Sequence, residues 1–382
     1  MSSEQISFLV FADDWGEHPS SCQHIFRHIV KDYPVVWVNT VGMRLPRLCK
    51  ADLAKGFRKL KKMLMTTNQK VPQQALPENL SVIQPPMIPY NKGLFRQINR
   101  NSVIKAVKQE LERRGLNSPI LVTTVPNACD YIGAFGEKRV VYYCVDDFAN
   151  WPGHEKDLIL QMEKELIRKT DVLIVVSDIL AQRIKKIAKS QKFFLLTHGV
   201  DIFRFANPFS IRHEIVKIPR PRIGYTGLIW ERLNFQLIEH IINKHSDYSF
   251  VFVGKEDISV DFLKKYKNFY YFEPVSFDKV PALLKEFDVL IMPYQLDKGT
   301  QSANPLKLKE YLASGKPVIG VPLKEIKKFE PYVVVAETPE EWVKAIQDII
   351  SGKLCPPKIP HEELVKEDWS YKAKEFLSFC LS

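Results

Sequence analysis

The stretch Asn304 to Gly320, NPLKLKEYLASGKPVIG, holds the residues best spaced for chemistry on a charged ligand. Asn304 can cap a helix, Pro305 suits its first position, Gly315 can end it in the left-handed conformation, and Pro317-Val-Ile-Gly resumes as a strand. A helix start offers free N–H groups and partial positive charge, so with Lys307 in the first turn it can hold a phosphate. Glu310 lies one turn deeper, where a carboxylate can accept hydrogen bonds from sugar hydroxyls. Leu306, Leu308, Tyr311 and Leu312 are the bulky apolar residues of this helix, and Lys307 and Glu310, three apart, share another side. A solvated surface helix is the competing reading.

Three other loops carry polar groups just past strand-like runs. FADDWGEHPSSCQH brings Asp14, Gly16, His18 and His24 to one strand end, with Ser20 or Ser21 placed to cap the next helix and Gly16 able to approach a ligand closely. YTGLIWERLN supplies Gly227 at a strand end and Arg232 shortly before a helix expected from about Asn234. A guanidinium there can pair with phosphate, or with Glu231 or Glu239 on the surface. YYCVDDFANWPG puts Asp146 and Asp147 past another strand; the pair has no evident partner for a divalent metal, and orienting or deprotonating a sugar hydroxyl is the better use. Capping of the following turn competes with it. The chain has no Gly-x-Ser-x-Gly, His-Glu-x-x-His, Walker lysine loop or Gly-x-Gly-x-x-Gly after its first strand, which argues against hydrolases, NTPases and nicotinamide dehydrogenases.

These loops need a scaffold, and the pattern names one. Apolar, β-rich runs alternate with helical periodicity: 6–12, 34–40, 81–85, 119–124, 139–145, 171–177 and 193–198, then 221–227, 248–254, 268–274, 288–294, 316–321 and 332–337. Helices are expected over 99–115, 155–170 and 178–189, among others. Runs this apolar between helices predict parallel strands covered on both faces, hence an α/β fold of two doubly wound, Rossmann-like domains facing an interdomain cleft. The periodicity breaks between about 199 and 220. The expected division is residues 1–203, 204–366, and a C-terminal helix, 367–382, crossing back to the first domain.

With 382 residues, 45% hydrophobic, the chain is long for one core. Six cysteines without a Cys-x-x-Cys pair predict a reduced, cytoplasmic protein. The N-terminal apolar run reads as a buried strand rather than a signal peptide, and no run approaches the ~20 residues that span a bilayer. The net charge of +11 is uneven, +10 over residues 1–200 and +1 over 201–382. Residues 43–70 hold nine Lys or Arg and one Asp, with Leu53, Phe57, Leu60 and Leu64 on one face of a possible helix. That composition suits an anionic membrane surface, whereas the lack of stacking aromatics argues against nucleic acid.

Taken together, NPLKLKEYLASGKPVIG, GYTG, HGVD and the two-domain alternation resemble the GT-B glycosyltransferases, in particular glycosyltransferase family 4 and its teichuronic-acid and polysaccharide branches. The resemblance covers essentially the whole chain. It implies donor binding by the backbone of Pro305 and Leu306, with Asn304 and Lys307 nearby, and ribose binding by Glu310. It further implies phosphate contact from Gly16, Gly227 and Arg232, and a base bordered by the loops at Val275 and Tyr294. Asp146 or Asp147 would meet the donor sugar or the acceptor, with Asp14, His18 and His24 on the acceptor or sugar side. The implied reaction is metal-independent, retaining transfer from a nucleoside-diphosphate sugar, with no added cofactor, to a glycan or lipid-linked acceptor at the inner face of a membrane. The chain departs from the family pattern at Ser302, where a second acidic residue is usual, at Leu228, where an arginine is usual, and at Asp146-Asp147, where many members place a histidine. Ser302 keeps open a non-catalytic sugar-nucleotide-binding subunit, and the architecture keeps open a nucleotide-sugar 2-epimerase.

Overall fold

The computed structural model describes residues 5–16, 20–39, 76–88, 92–151, 153–208 and 214–382. The basic segment 43–70 and His18 lie outside the described residues. The chain divides into two compact units, residues 1–196 with 373–382, and residues 197–372.

Among the described residues of the first unit, seven parallel strands form one sheet: β1 (Phe8–Ala12), β2 (Val35–Asn39), β3 (Leu80–Ile83), β4 (Ile120–Thr123), β5 (Arg139–Cys144), β6 (Val172–Val175) and β7 (Lys192–Leu195). Their order is β3-β2-β1-β4-β5-β6-β7. β1 is buried along its whole length because both faces are covered. Leu9 and Phe11 share a core with Val103, Val107 and Leu111 of the helix Gly93–Arg114. On the other face Phe8 meets Phe26 of the helix Ser21–Ile29 edge-on, ring centres 5.6 Å apart. Phe376, from the end of the chain, closes on Phe26 and Tyr143.

The second unit repeats the plan with β8 (Arg222–Thr226), β9 (Ser249–Val253), β10 (Phe269–Phe272), β11 (Val289–Met292), β12 (Val318–Gly320) and β13 (Val334–Val335), in the order β10-β9-β8-β11-β12-β13, all parallel. Each sheet reverses its strand order once, between β1 and β4 and between β8 and β11. At such a switch point adjacent loops part at the carboxyl ends and leave room for a ligand. The core is close-packed there: a methyl group on Gly224 of β8 would overlap the Phe287 ring. Gly224→Ala is therefore expected to cost about 1–3 kcal/mol by overpacking, read as a lowered urea midpoint at unchanged slope.

Every apolar run expected to be a strand contains one, β3 and β7 starting one residue early. One helix departs further from expectation. Gly93–Arg114 begins six residues before the periodic stretch at 99, because Leu94, Phe95 and Ile98 in its first turns are exposed and do not index the inward face.

Candidate functional site

At the switch point of the second sheet, the helix Leu306–Ser314 is fixed from two sides. Leu308, Tyr311 and Leu312 are buried in the core of the unit, and the Tyr311 hydroxyl accepts the Thr226 N–H at the end of β8 at 2.9 Å. On the other side Lys309 is buried as well, which its charge did not announce. Its ammonium donates to Thr197 Oγ1 at 2.8 Å and to the His198 carbonyl, and pairs with Glu367. Burial pushes Lys309 down to about 8, with Glu367 opposing the shift.

The capping expected at this helix is corrected. Pro305 itself occupies the N-cap position and Leu306 is the first helical residue. Asn304 does not cap because its side chain is spent elsewhere: Oδ1 accepts the His198 N–H at 3.3 Å, and Nδ2 donates to Glu325 Oε2 at 3.0 Å. Among the described residues no side chain caps the helix, which leaves its first N–H groups for a ligand or water.

Lys307 reaches back over the end of β8. A methyl group on Gly227 would overlap Lys307 Cε and stand 2.5 Å from Nζ, so the ammonium rests where a side chain at 227 would be. Gly227 has φ +137° and is backed by Gly254, where a methyl would overlap the Gly227 carbonyl oxygen. Two strand ends thus meet with no side chain between them, and a lysine lies on top. Glu310 is half-buried one turn along; burial raises its carboxyl above the ordinary range, and Lys307 offsets part of the rise.

Arg232 is 6% exposed, not the surface arginine that pairing with Glu231 or Glu239 would require. Glu239 is taken by Lys265 at 2.6 Å and by Tyr266 at 2.9 Å. The Arg232 guanidinium stacks on Trp230, 4.8 Å from the ring centre, and a methyl on Gly299 would come within 2.8 Å of it. Its carbonyl accepts the Gln295 N–H at 2.7 Å, tying this loop to the one after β11. Tyr294, in the latter loop, pairs with Leu233, and burial raises its hydroxyl. Val275 packs half-buried against the core just beyond β10. Ser302 is buried, and its hydroxyl donates to the carbonyls of Gly299 and Lys298 at 2.9 and 3.2 Å, which locks the short turn before Asn304. Gly227, Arg232, Tyr294, Asn304, Pro305, Leu306, Lys307 and Glu310 therefore all lie in loops or at a helix start around one sheet end. Sequence reasoning missed Trp230 and Gly299; an aromatic two residues before a loop arginine is the signal that could have found them.

In the first unit the loop after β1 is organised by Gln23. Its Oε1 accepts the Gly16 N–H at 3.0 Å, and its Nε2 donates to the Asp13 carboxylate and, at 3.1 Å, to the Asp14 carbonyl. Ser20 caps the following helix, and His24 is buried within it. After β5, Asp147 is buried, accepts from Asn150 Nδ2 at 2.7 Å and lies 3.9 Å from Arg183; among the described residues its side chain makes no capping bond to the following turn. Asp146 accepts the Asp147 N–H at 2.7 Å and is half-buried. Asn127, in the turn after β4, is buried, and among the described residues its side-chain oxygen has no hydrogen-bond partner, a further polar group past the switch point that the motif search passed over.

Among the described residues, the acidic and thiol groups close enough to share a metal ion are Cys129, Asp130 and Glu165. Arg96 binds Asp130 at 2.8 Å and Lys169 binds Glu165 at 3.0 Å, so cations already neutralise that cluster.

Residues 220–352, which hold most of this constellation, match the family model described as Glycosyl transferases group 1. TuaH of Bacillus subtilis (strain 168), whose name assigns it to teichuronic acid biosynthesis as a glycosyltransferase, is 27% identical over 263 residues. The match spans 63% of this chain and 66% of TuaH, just under two thirds of the relative's own length. Among solved structures, the E. coli trehalose-6-phosphate structure bound with UDP-2-fluoro glucose superposes with a TM-score of 0.68 at 10% identity, covering 98% of both chains. Anabaena Alr3699/HepE in complex with UDP and glucose superposes with a TM-score of 0.66 at 11% identity, covering 99% of this chain and 100% of that one. Two parallel-sheet α/β units with these neighbours define the GT-B class of fold. Within the second unit the likeness at sequence level is to group 1 glycosyl transferases.

Proposed function

We propose that this protein transfers a sugar from a nucleoside diphosphate to a hydroxyl of a glycan or lipid-linked acceptor in cell-surface polysaccharide synthesis. The observation that carries the reading is the uncapped helix start at Leu306 with Lys307 laid over Gly227 and Glu310 one turn on. In this reading the helix N–H groups, Lys307 and Arg232 hold the diphosphate. As the glycosidic bond breaks, negative charge grows on the departing diphosphate, and fixed cations and dipoles stabilise it without reorganising. Glu310 accepts the ribose hydroxyls, and the loops at Val275 and Tyr294 border the base. Gly16, Asp14, His24, Asp146 and Asp147 are assigned to the first unit's share of donor phosphate, sugar and acceptor, with Asp146 better placed to meet a ligand than the enclosed Asp147. His18 is assigned with them.

The proposed reaction is retaining and needs no metal, since Lys307, Arg232 and the helix supply the positive charge that a divalent ion would. UDP is the first nucleotide to test because the trehalose-6-phosphate and HepE neighbours are bound with UDP compounds. Among the described residues no helix is long and apolar enough to cross a membrane. A cytoplasmic, peripheral location is proposed, with the basic segment 43–70 drawn to anionic lipid.

Calorimetric titration of UDP, GDP and ADP with EDTA present tests the reading. One nucleotide is expected to bind, and Arg232→Ala to weaken it about 10- to 100-fold, the range of a charge-assisted contact of roughly 1.5–3 kcal/mol. Arg232→Lys should recover only part, because lysine cannot present a planar fork on Trp230. Absence of binding by all three would leave the fold without this function.

A further inference from the structure

Lys309 is 1% exposed, and lysine is almost never fully buried unless it is paired. Two residues apart on one helix, Lys307 and Lys309 do not share a face. The first rests over Gly227, and the second is enclosed by a polar cluster of the same unit. An ammonium carries three N–H donors, and Lys309 has an acceptor for each: Thr197 Oγ1 at 2.8 Å, the His198 carbonyl and the Glu367 carboxylate. Lys372 donates to Thr197 Oγ1 at 3.2 Å and lies 3.3 Å from Glu367, which completes a Lys-Glu-Lys triad. Thr197 and His198 are the first residues of the second unit, and Glu367 and Lys372 are among its last. The backbone ties these two ends together: the Val200 N–H donates to the Glu367 carbonyl at 2.8 Å, and the Trp369 N–H to the Val200 carbonyl at 3.1 Å.

The uncapped helix start is bracketed by two grips on a single residue. Asn304 Oδ1 accepts the His198 N–H at 3.3 Å, and Lys309 donates to the His198 carbonyl. Asn304 is held in turn by Glu325, which Lys328 pairs at 2.8 Å. Pro305 and Leu306 lie between the two grips in sequence, so the backbone of His198 sets their place. Buried charge clusters are a poor source of net stability, and apolar residues of similar volume often serve the fold as well. Three directed bonds from one ammonium do what non-directional apolar packing cannot, which is to fix a helix at one height and rotation.

We propose that Lys309 is a positioning residue for the donor site: with Asn304 it clamps the helix Leu306–Ser314 to the His198 backbone, so that the free N–H groups, Lys307 and Glu310 stand at one place for the diphosphate and ribose. This role rests on the reading of the site as one that binds a nucleotide.

The clamp depends on charge. Burial lowers Lys309 to about 8, Lys372 adds to the shift, and Glu367 and Glu325 oppose it. These groups, with Lys328 on Glu325, are the charges around the ammonium, while His198 presents its carbonyl. A neutral amine has two N–H donors for three acceptors, so one grip is lost as pH rises through that value. Stability moves the other way. Because the folded value lies below that of an ordinary lysine, the unfolded chain holds more protons between the two, and the contribution of Lys309 to stability rises with pH across that interval.

The experiment is calorimetric titration of UDP, GDP and ADP into the wild type, Lys309→Met and Lys307→Ala at about pH 7 and about pH 9.5, beside urea unfolding of each. Lys309→Met should unfold cooperatively and bind the nucleotide about tenfold more weakly at the lower pH. At the higher pH the wild type and Lys307→Ala should each lose affinity at least about threefold, and Lys309→Met much less. Over the same interval the wild type should gain stability relative to Lys309→Met, so that affinity and stability part company. Wild-type affinity in Lys309→Met, an alkaline loss that Lys309→Met shares in full, or affinity and stability falling together would overturn the proposal. If Lys309→Met does not fold, the profiles of the wild type and Lys307→Ala decide, and a flat affinity in both overturns it. No nucleotide bound by the wild type removes the donor site itself, whereas binding that Lys309→Met leaves unchanged removes only the role of Lys309.

Discussion

Glu310→Ala is expected to weaken nucleotide binding about tenfold or more, roughly 1.4 kcal/mol, and Glu310→Gln to do nearly as much while making the ligand-free protein more stable. The two effects have one origin. Burial raises the Glu310 carboxyl, so the folded protein holds that proton more tightly than the unfolded chain does. The stability contributed by the protonated form is complete below the ordinary carboxylate range and is lost as pH rises through the raised value. Above that value the wild type carries a desolvated charge that glutamine does not. Urea unfolding should therefore find Glu310→Gln more stable than wild type at pH 8 and equal to it at pH 4. Nucleotide affinity should fall in the wild type as pH is lowered through the same interval, because the ionised carboxylate is the better acceptor for ribose hydroxyls. A carboxylate kept at a cost in stability marks a group retained for binding. If Glu310→Ala binds nucleotide as tightly as wild type, the assignment of this helix is wrong.

The second large effect concerns two glycines of the same site, which should fail in different ways. Gly254→Ala drives a methyl into the Gly227 carbonyl, which is backbone and cannot swing aside as a side chain can, at φ +159°. A loss of about 2–4 kcal/mol is expected, read as a fall in urea midpoint. Gly227→Ala meets the arm of Lys307, which can swing away, so the stability cost should be smaller, about 1–2 kcal/mol. Its larger effect should be on nucleotide affinity, about 10- to 100-fold, since the displaced ammonium no longer rests over the end of β8. A double-mutant cycle separates the two: in a Lys307→Ala background, Gly227→Ala should cost little further affinity. Full additivity would mean that Lys307 does not act from the position described.

Much of this was legible in the chain because the signals were local. β-branched and aromatic runs bounded by Gly, Pro and Asp marked every strand of both sheets, and Ser20 and Asn234 cap the helices they precede. The group at the second sheet end was legible too, since Gly227, Arg232, Tyr294 and the helix at 306 each follow or precede a strand whose order the pattern implies. What escaped depends on partners far along the chain. Asn304 looked like a cap until His198 and Glu325, 106 and 21 residues away, claimed its side chain. Lys309 carried no signal of burial in the sequence, and Thr197 and Glu367 enclose it. The early start of the helix at Gly93 was hidden because its first turns are apolar on the outside, the reverse of the rule by which periodicity is read. Asp147 could not be divided from Asp146 until Asn150 and Arg183 were placed.

The hydrogen bond from the Thr226 amide to the Tyr311 hydroxyl joins the end of β8 to the helix Leu306–Ser314. The last amide of β8 finds its partner on the helix proposed to hold the donor, so the strand cannot fray without releasing Tyr311, and the helix cannot shift without exposing that amide. Fraying of the carboxyl end of β8 and loss of the helix are one cooperative event. Hydrogen exchange at a single backbone position, Thr226, is accordingly a clock for the integrity of the whole site.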